Sequence, residues 1–333
     1  MSPPKPRLLL LDPDRYSAEA RALLETVADV VDGPLTRQEL RNRVGDYDAL
    51  VLRLSHQIDA DVIGRADRLK VVATNTTGLD HIDLAAAQQR GIAVLSLRGE
   101  LAFLETIVST AELTWGLLLS LIRQIPAAHR SVLDGAWRRD DFVGRDLAGR
   151  TLGVVGCGRI GRKVAAYGAA FGMSVLAFDQ DPQAIPSPVV ACASLHELLD
   201  RSDVVTLHVT EGAETRGLIG AAELGRMRPG ALLVNTSRGS VIDSEALLAA
   251  LDSGRLAGAA LDVVDGELAD SFPRGNRLID FACRNRALVI TPHIGGVSSD
   301  SWARTETFLA RKIVTFFTAP EDGRATAGSK ENR

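Results

Sequence analysis

TLGVVGCGRIGRKVAAYGAAFGMSVLAFDQD, residues Thr151–Asp181, opens on an apolar strand, turns through Gly156, Gly158 and Gly161, and runs into a helix. A second apolar run, Ser174–Phe178, ends at Asp179. Each glycine has a job in such a unit. Gly156 permits the tight turn, Gly158 lets the backbone approach a pyrophosphate, and Gly161 lets the helix lie close to the strand. Arg159, Ile160 and Gly161 open the helix, whose N-terminal N–H groups and partial positive charge suit phosphates. Asp179 is placed to accept hydrogen bonds from the adenosine ribose hydroxyls. A carboxylate there repels a 2′-phosphate, and Gln180 follows it rather than an arginine, so NAD is expected over NADP.

Working outward, three later segments end strands of the same expected sheet, and open parallel sheets take ligands beyond their carboxyl ends. LLVNTSRGSVID places Arg238 after one strand, ALDVVDGEL places Glu267 after the next, and LVITPHIGG places His293 after the last. Together they suit hydride exchange at a 2-hydroxy or 2-oxo acid. Arg238 can hold a carboxylate in a fork and polarise the carbonyl. His293 can give or take the proton of the C2 oxygen. Glu267 can orient the ring and favour its charged form.

The rest of the chain alternates strand and helix. Strands are expected at Leu8–Leu11, Ala49–Leu52, Val71–Ala73 and Ile92–Leu95, then at Thr151–Val155, Ser174–Phe178, Val204–Leu207, Ala231–Asn235, Ala259–Leu261 and Leu288–Ile290. This pattern predicts an α/β fold of two doubly wound, Rossmann-like domains. Leu104–Leu121 reads as a long bridging helix continuing towards His129, and a last amphipathic helix covers about Ser301–Phe317. That last helix has no strand of its own, so it is expected to return to the first domain. The outer, substrate domain would then be discontinuous, residues 1–100 with 295–333, around an NAD-binding domain at 101–294. A cleft between lobes is the usual place for a small-molecule site. The tail GRATAGSKENR is expected to be unstructured.

Composition narrows the partners. Of 333 residues, 46% are hydrophobic and 24% charged, with a net charge of −4. No Lys/Arg block stands above that background, so no nucleic-acid partner is expected. No signal peptide and no apolar stretch long enough for a bilayer is read, so no membrane is expected and the cytoplasm is the default. Cys157, Cys192 and Cys283 form no CxxC pair, which suits a reducing compartment and offers no metal site.

These residues lie in stretches that resemble the D-isomer-specific 2-hydroxyacid dehydrogenases along nearly the whole chain: NTTGLDHIDLAAAQQRGIAVL, LAGRTLGVVGCGRIGRKVA, SDVVTLHV, MRPGALLVNTSRGSVID, LAGAALDV and ITPHIGG. The resemblance implies a catalytic role for Arg238, Glu267 and His293, and a homodimer formed through the NAD domain. It also implies that Asn75, Thr76, Thr77 and Gly78 form a carboxylate-binding loop, and that Asp262 lies near the nicotinamide amide or makes a strand-end hydrogen bond. With His208 and Thr236, these complete the expected cofactor contacts. His208, in TLHVT, also suits a local hydrogen bond.

DALVLRLSHQIDADVI is most like the phosphoglycerate dehydrogenases, here without their regulatory domain. Arg53 matches an arginine that faces substrate there, or is a strand-end surface charge. Arg98, in SLRGE, either adds charge near the substrate or pairs with Glu100. Trp302 could reach the cleft mouth. The chain departs from the pattern at Glu267-Leu268 and in the long LADSFPRGNRLIDFACRNRA. The expected substrate is a small D-2-hydroxy or 2-oxo acid bearing phosphate or phosphonate, 3-phosphoglycerate first. The alternatives are phosphonopyruvate or another 2-oxo acid reduced in a specialised pathway, and an NADH-sensing, corepressor-like protein without turnover.

Overall fold

A computed structural model of the chain describes residues 4–33, 35–269 and 272–320. The expected unstructured tail, 323–333, lies outside the described residues. The chain divides into two compact units, residues 1–107 with 298–333, and residues 108–297. Each is a Rossmann-like layer of helices around a parallel sheet, and the first is discontinuous in sequence.

In the first unit five strands, β1 (Arg7–Leu10), β2 (Asp29–Asp32), β3 (Ala49–Leu52), β4 (Val71–Thr74) and β5 (Ala93–Leu95), lie in the order β2-β1-β3-β4-β5. All pairs are parallel. The central strands are buried on both faces, as continuous apolar runs require. The helix Ser299–Thr318 covers one face, where Leu309, Ala310, Ile313 and Phe316 join Leu8, Leu10, Ala20 and Leu24. The sequence reading missed β2. Its DVVD is an edge strand with no fully buried residue, too short and too polar to show a buried pattern.

In the second unit seven strands, β6 (Thr151–Val155), β7 (Ser174–Phe178), β8 (Val190–Ala191), β9 (Val204–Leu207), β10 (Ala231–Asn235), β11 (Leu256–Leu261) and β12 (Leu288–Ile290), run β12-β11-β10-β9-β6-β7-β8. The order reverses between β6 and β9, the dinucleotide-binding arrangement. The exposed two-residue β8 was also missed, for the same reason as β2.

The unit boundaries differ from the expected 100/101 and 294/295. The short helix Leu101–Leu104 belongs to the first unit because Phe103 stacks on Phe308 with ring centroids 4.0 Å apart. Gly295 stays with the second because its N–H binds Asp262 and its carbonyl accepts the Thr110 hydroxyl.

The expected bridging helix is two helices, Ser109–Ile122 and Ile125–Leu133, broken where Gln124 takes a left-handed φ of 52°. By length and composition Leu101–Ile122 is apolar enough to cross a membrane, contrary to the sequence expectation. Its backbone is interrupted between Leu104 and Ser109. From Ser109 onward, Ala111, Trp115, Leu117, Leu118 and Leu121 are buried with Leu152, Val154 and Val234, so the apolar run serves a protein core.

Candidate active site

The glycine turn has the geometry its sequence demands. Gly156 has φ +85°, and a Cβ there would lie 2.7 Å from the His208 carbonyl oxygen. A Cβ on Gly161 would lie 2.0 Å from the Gly156 carbonyl oxygen, whereas one on Gly158 would meet nothing within 4 Å. Two positions thus admit no side chain because the fold fills the space. Gly158 faces open space, where only a ligand would need a bare backbone. Gly158 also N-caps the helix Arg159–Ala170, with no side chain capping it. Asp179, at the end of β7, accepts the Cys157 N–H at 2.7 Å and the Asp181 N–H at 2.9 Å, which tie it to the turn. A bare turn, an uncapped helix start and a carboxylate at the end of the second strand fit a dinucleotide with free ribose hydroxyls. Ile160 packs on the core around Trp115 and Val164.

His208 follows β9 beside the turn. One ring nitrogen, Nε2, meets the Thr206 hydroxyl at 2.8 Å, and the buried Nδ1 has no partner among the described residues. Burial pushes its pKa down to about 3, so the ring is neutral. Thr236 is also buried, and its hydroxyl is shared with Thr114 at 2.9 Å, turned into the core.

Three loops carry the expected catalytic group. Arg238 follows β10 in a loop organised by buried Asn235, whose amide nitrogen donates to the Arg238 carbonyl while its oxygen accepts from the Ser237 N–H and hydroxyl. The Arg238 side chain is 28% exposed, with Nε 3.9 Å from Glu211. At the next residue, a Cβ on Gly239 would lie 2.1 Å from the Asp265 nitrogen and the Val264 carbonyl carbon. Only glycine lets this loop lie against the one that carries Glu267.

Glu267 accepts the Val264 N–H at 3.0 Å through Oε2, and its Oε1 lies 2.5 Å from His293 Nδ1. Both oxygens face donors, so the carboxylate holds the His293 proton on Nδ1 and leaves Nε2 for chemistry. His293 has φ +53°, a strained conformation for a non-glycine residue. Asp262, at the end of β11, holds it there. One oxygen accepts the Thr291 hydroxyl and the Ile294 N–H, the other the Gly295 N–H, while the Asp262 carbonyl accepts the His293 N–H. Burial pushes the Asp262 carboxyl above its usual range, and those donors oppose it. Of the two readings left open for Asp262, the local clasp is the one the structure displays.

In the first unit, Asn75, Thr76, Thr77 and Gly78 form the loop after β4. The Thr76 hydroxyl donates to the Gly78 carbonyl at 2.7 Å, and Asn75 reaches Thr305 at 3.2 Å. Arg98 donates to the Thr77 carbonyl at 3.4 Å, and Glu100 is taken by Lys312 at 2.8 Å instead of by Arg98. Arg53, directly after β3, is no surface charge. It is 14% exposed and ion-paired at 2.6 Å with Glu306, which is 1% exposed.

The sequence reading passed over Asn235, Gly239, Glu211 and Glu306. Gly239 had a signal, a glycine beside a candidate arginine. So did Glu306, a charge in register with Leu309, Ala310 and Ile313 on the helix face that packs into the core.

Comparison with known proteins agrees with this geometry. The D-isomer-specific 2-hydroxyacid dehydrogenase NAD-binding domain matches residues 115–295. The chain belongs to that family. Its second unit is accordingly an NAD-binding domain of an oxidoreductase family. The chain is 36% identical over 314 residues to a D-3-phosphoglycerate dehydrogenase of Methanocaldococcus jannaschii, covering 92% of this chain and 56% of the relative. It thus spans about half the length of such curated relatives. A solved protein of Thermus thermophilus is 37% identical, with a TM-score of 0.79 over 93% of this chain and 96% of its own. An Aquifex aeolicus D-lactate dehydrogenase, solved with NAD and lactic acid, is 27% identical, with a TM-score of 0.80 and 97% of each chain covered.

Proposed function

We propose that the protein interconverts a D-2-hydroxy acid and its 2-oxo acid with NAD. The observation that carries this reading is the Glu267–His293 pair, held with Arg238 on adjacent strand ends of an NAD-binding sheet. NAD, when bound, supplies or accepts a hydride at the substrate's C2. Gly156, Gly158, Arg159, Ile160, Gly161 and Asp179 hold it, with His208 and the backbone near Thr236 and Asp262 beside them. Arg238 grips the substrate carboxylate and draws electron density from the C2 carbonyl. His293 Nε2 gives the C2 oxygen its proton in reduction and takes it back in oxidation. Glu267 fixes the ring and balances its charge. The backbone N–H groups of Thr76, Thr77 and Gly78 are offered to a carboxylate.

The test is NADH consumption over a panel of 2-oxo acids. Turnover of at least one supports the reading. NADH binding without turnover of any would replace it with a binding role.

Two readings of the substrate's far end differ. A phosphate or phosphonate group, with 3-phosphoglycerate first, is supported by the phosphoglycerate dehydrogenase relatives and by Arg53 and Arg98. A far end without a second anion is favoured by the carboxylate already paired to Arg53.

We also propose a cytoplasmic homodimer. The helix Ile125–Leu133 has no buried residue, and Ile125, Val132, Leu133 and the nearby Trp137 are exposed apolar groups awaiting cover. Three unpaired cysteines suit a reducing compartment. Light scattering should give twice the chain mass, and a monomer would reject the dimer.

A further inference from the structure

The strand order of the first unit reverses between β1 and β3. In open parallel sheets of this order, ligands enter the crevice at that reversal. Asp12 follows β1 and Arg53 follows β3, so both stand at its mouth. The Arg53 guanidinium lies 3.8 Å from the centroid of the Trp302 ring. Its Nε and Nη2 donate to the same Glu306 oxygen at 3.0 and 2.6 Å, and Nη1 donates to the Asp14 carbonyl at 3.2 Å. The other Glu306 oxygen accepts the Ser17 N–H at 2.7 Å. Burial pushes the Glu306 carboxyl above its usual range, but every hydrogen-bonding neighbour it has among the described residues is a donor, and the Ser17 N–H and the Arg53 guanidinium favour the anion. Asp12 takes the Arg53 N–H at 2.7 Å and the Ser55 hydroxyl at 2.9 Å. The Arg53 guanidinium is thus ion-paired with the Glu306 carboxylate, while Asp12 holds the Arg53 backbone.

We propose that Glu306 is a specificity-determining residue, which neutralises Arg53 and makes this crevice accept a substrate whose far end carries no second anionic group. Arg53 still has N–H groups to spare, since three of its five are used here. It can donate to a neutral oxygen beside the half-buried Trp302 ring. A phosphate, phosphonate or second carboxylate would meet Glu306 beside an arginine whose charge that carboxylate already balances. The proposal rests on the reaction class above and sharpens its substrate.

The test compares 2-oxobutyrate, oxaloacetate and phosphonopyruvate with the full-length protein. Each is read both as NADH turnover and as Kd from the change in bound NADH fluorescence. The wild type should favour 2-oxobutyrate over the doubly charged acids by at least tenfold in kcat/KM. Glu306→Gln, which keeps the shape and removes the charge, should swing that ratio at least tenfold towards the doubly charged acids. The change should come through KM, with NADH affinity unchanged. Replacing Arg53 by Gln as well should abolish the swing. Equal effects of Glu306→Gln on all three acids overturn the proposal. Should that variant melt early, the wild type decides alone, since a preference for phosphonopyruvate or oxaloacetate overturns it. Absence of turnover with the expected Kd order would reject the reaction class and leave the role of Glu306 standing.

Discussion

Gly239→Ala isolates the contact on which the proposed catalytic arrangement depends. The new methyl would stand 2.1 Å from the backbone of Val264 and Asp265, and ordinary contact begins at 3.4 Å. The loops bearing Arg238 and Glu267 must therefore part by about 1.3 Å, since backbone cannot rotate aside as a side chain would. Overpacking of this kind costs about 1–3 kcal/mol, which lowers the melting temperature by roughly 2–12 °C for a unit of this size. Misplacing a substrate-holding group by about 1 Å costs about 10²-fold in rate. The expected result is a kcat/KM down about 10²-fold with NADH affinity kept, because the glycine turn at β6 is untouched. Steady-state NADH oxidation, NADH fluorescence titration and a thermal melt measure the three quantities. Gly225→Ala is the control, since its Cβ meets nothing within 4 Å in the helix Ala221–Arg226. Wild-type turnover and melting in Gly239→Ala would show that the two loops do not touch as described.

Arg238→Ala should reduce kcat/KM by orders of magnitude while NADH still binds, and near-normal turnover would remove Arg238 from its role. Asp262→Ala should free the loop that holds His293 at φ +53°, lowering kcat about 10²-fold through loss of alignment; an unchanged kcat would mean that the loop holds itself. Asp179→Ala should erode the preference for NAD over NADP, and an unaltered coenzyme ratio would reject the ribose contact. Burial pushes the Cys157 thiol up to about 11, so at pH 7–8 it stays protonated and unreactive. Exposed Cys283 should therefore take an alkylating agent first, read by mass spectrometry, whereas early labelling of Cys157 would show that the turn is open.

The glycine turn, the strand ends carrying Arg238, Glu267 and His293, and the return of the last helix to the first unit were legible in the sequence. Each depends on local rules: a positive φ that only glycine tolerates well, a short apolar run, and a periodic apolar face. The edge strands β2 and β8 escaped because edges are not buried, and the break at Gln124 escaped although Pro126, in the first turn of the helix that follows, marks it. Within a single helix, the charge of Glu306 was visible as an anomaly, but its partner was not.

Sequence alone determined that this chain builds an NAD-binding sheet with an Arg, Glu and His set on its strand ends, since those features follow from composition at fixed short spacings. Tertiary structure alone decided that Gly239 seats the Arg238 loop on the Glu267 loop, that Asp262 clasps His293, and that Arg53 meets a carboxylate 253 residues away. The physical reason is that charge balance and steric contact are set by groups brought together through packing, at sequence separations that no local pattern records.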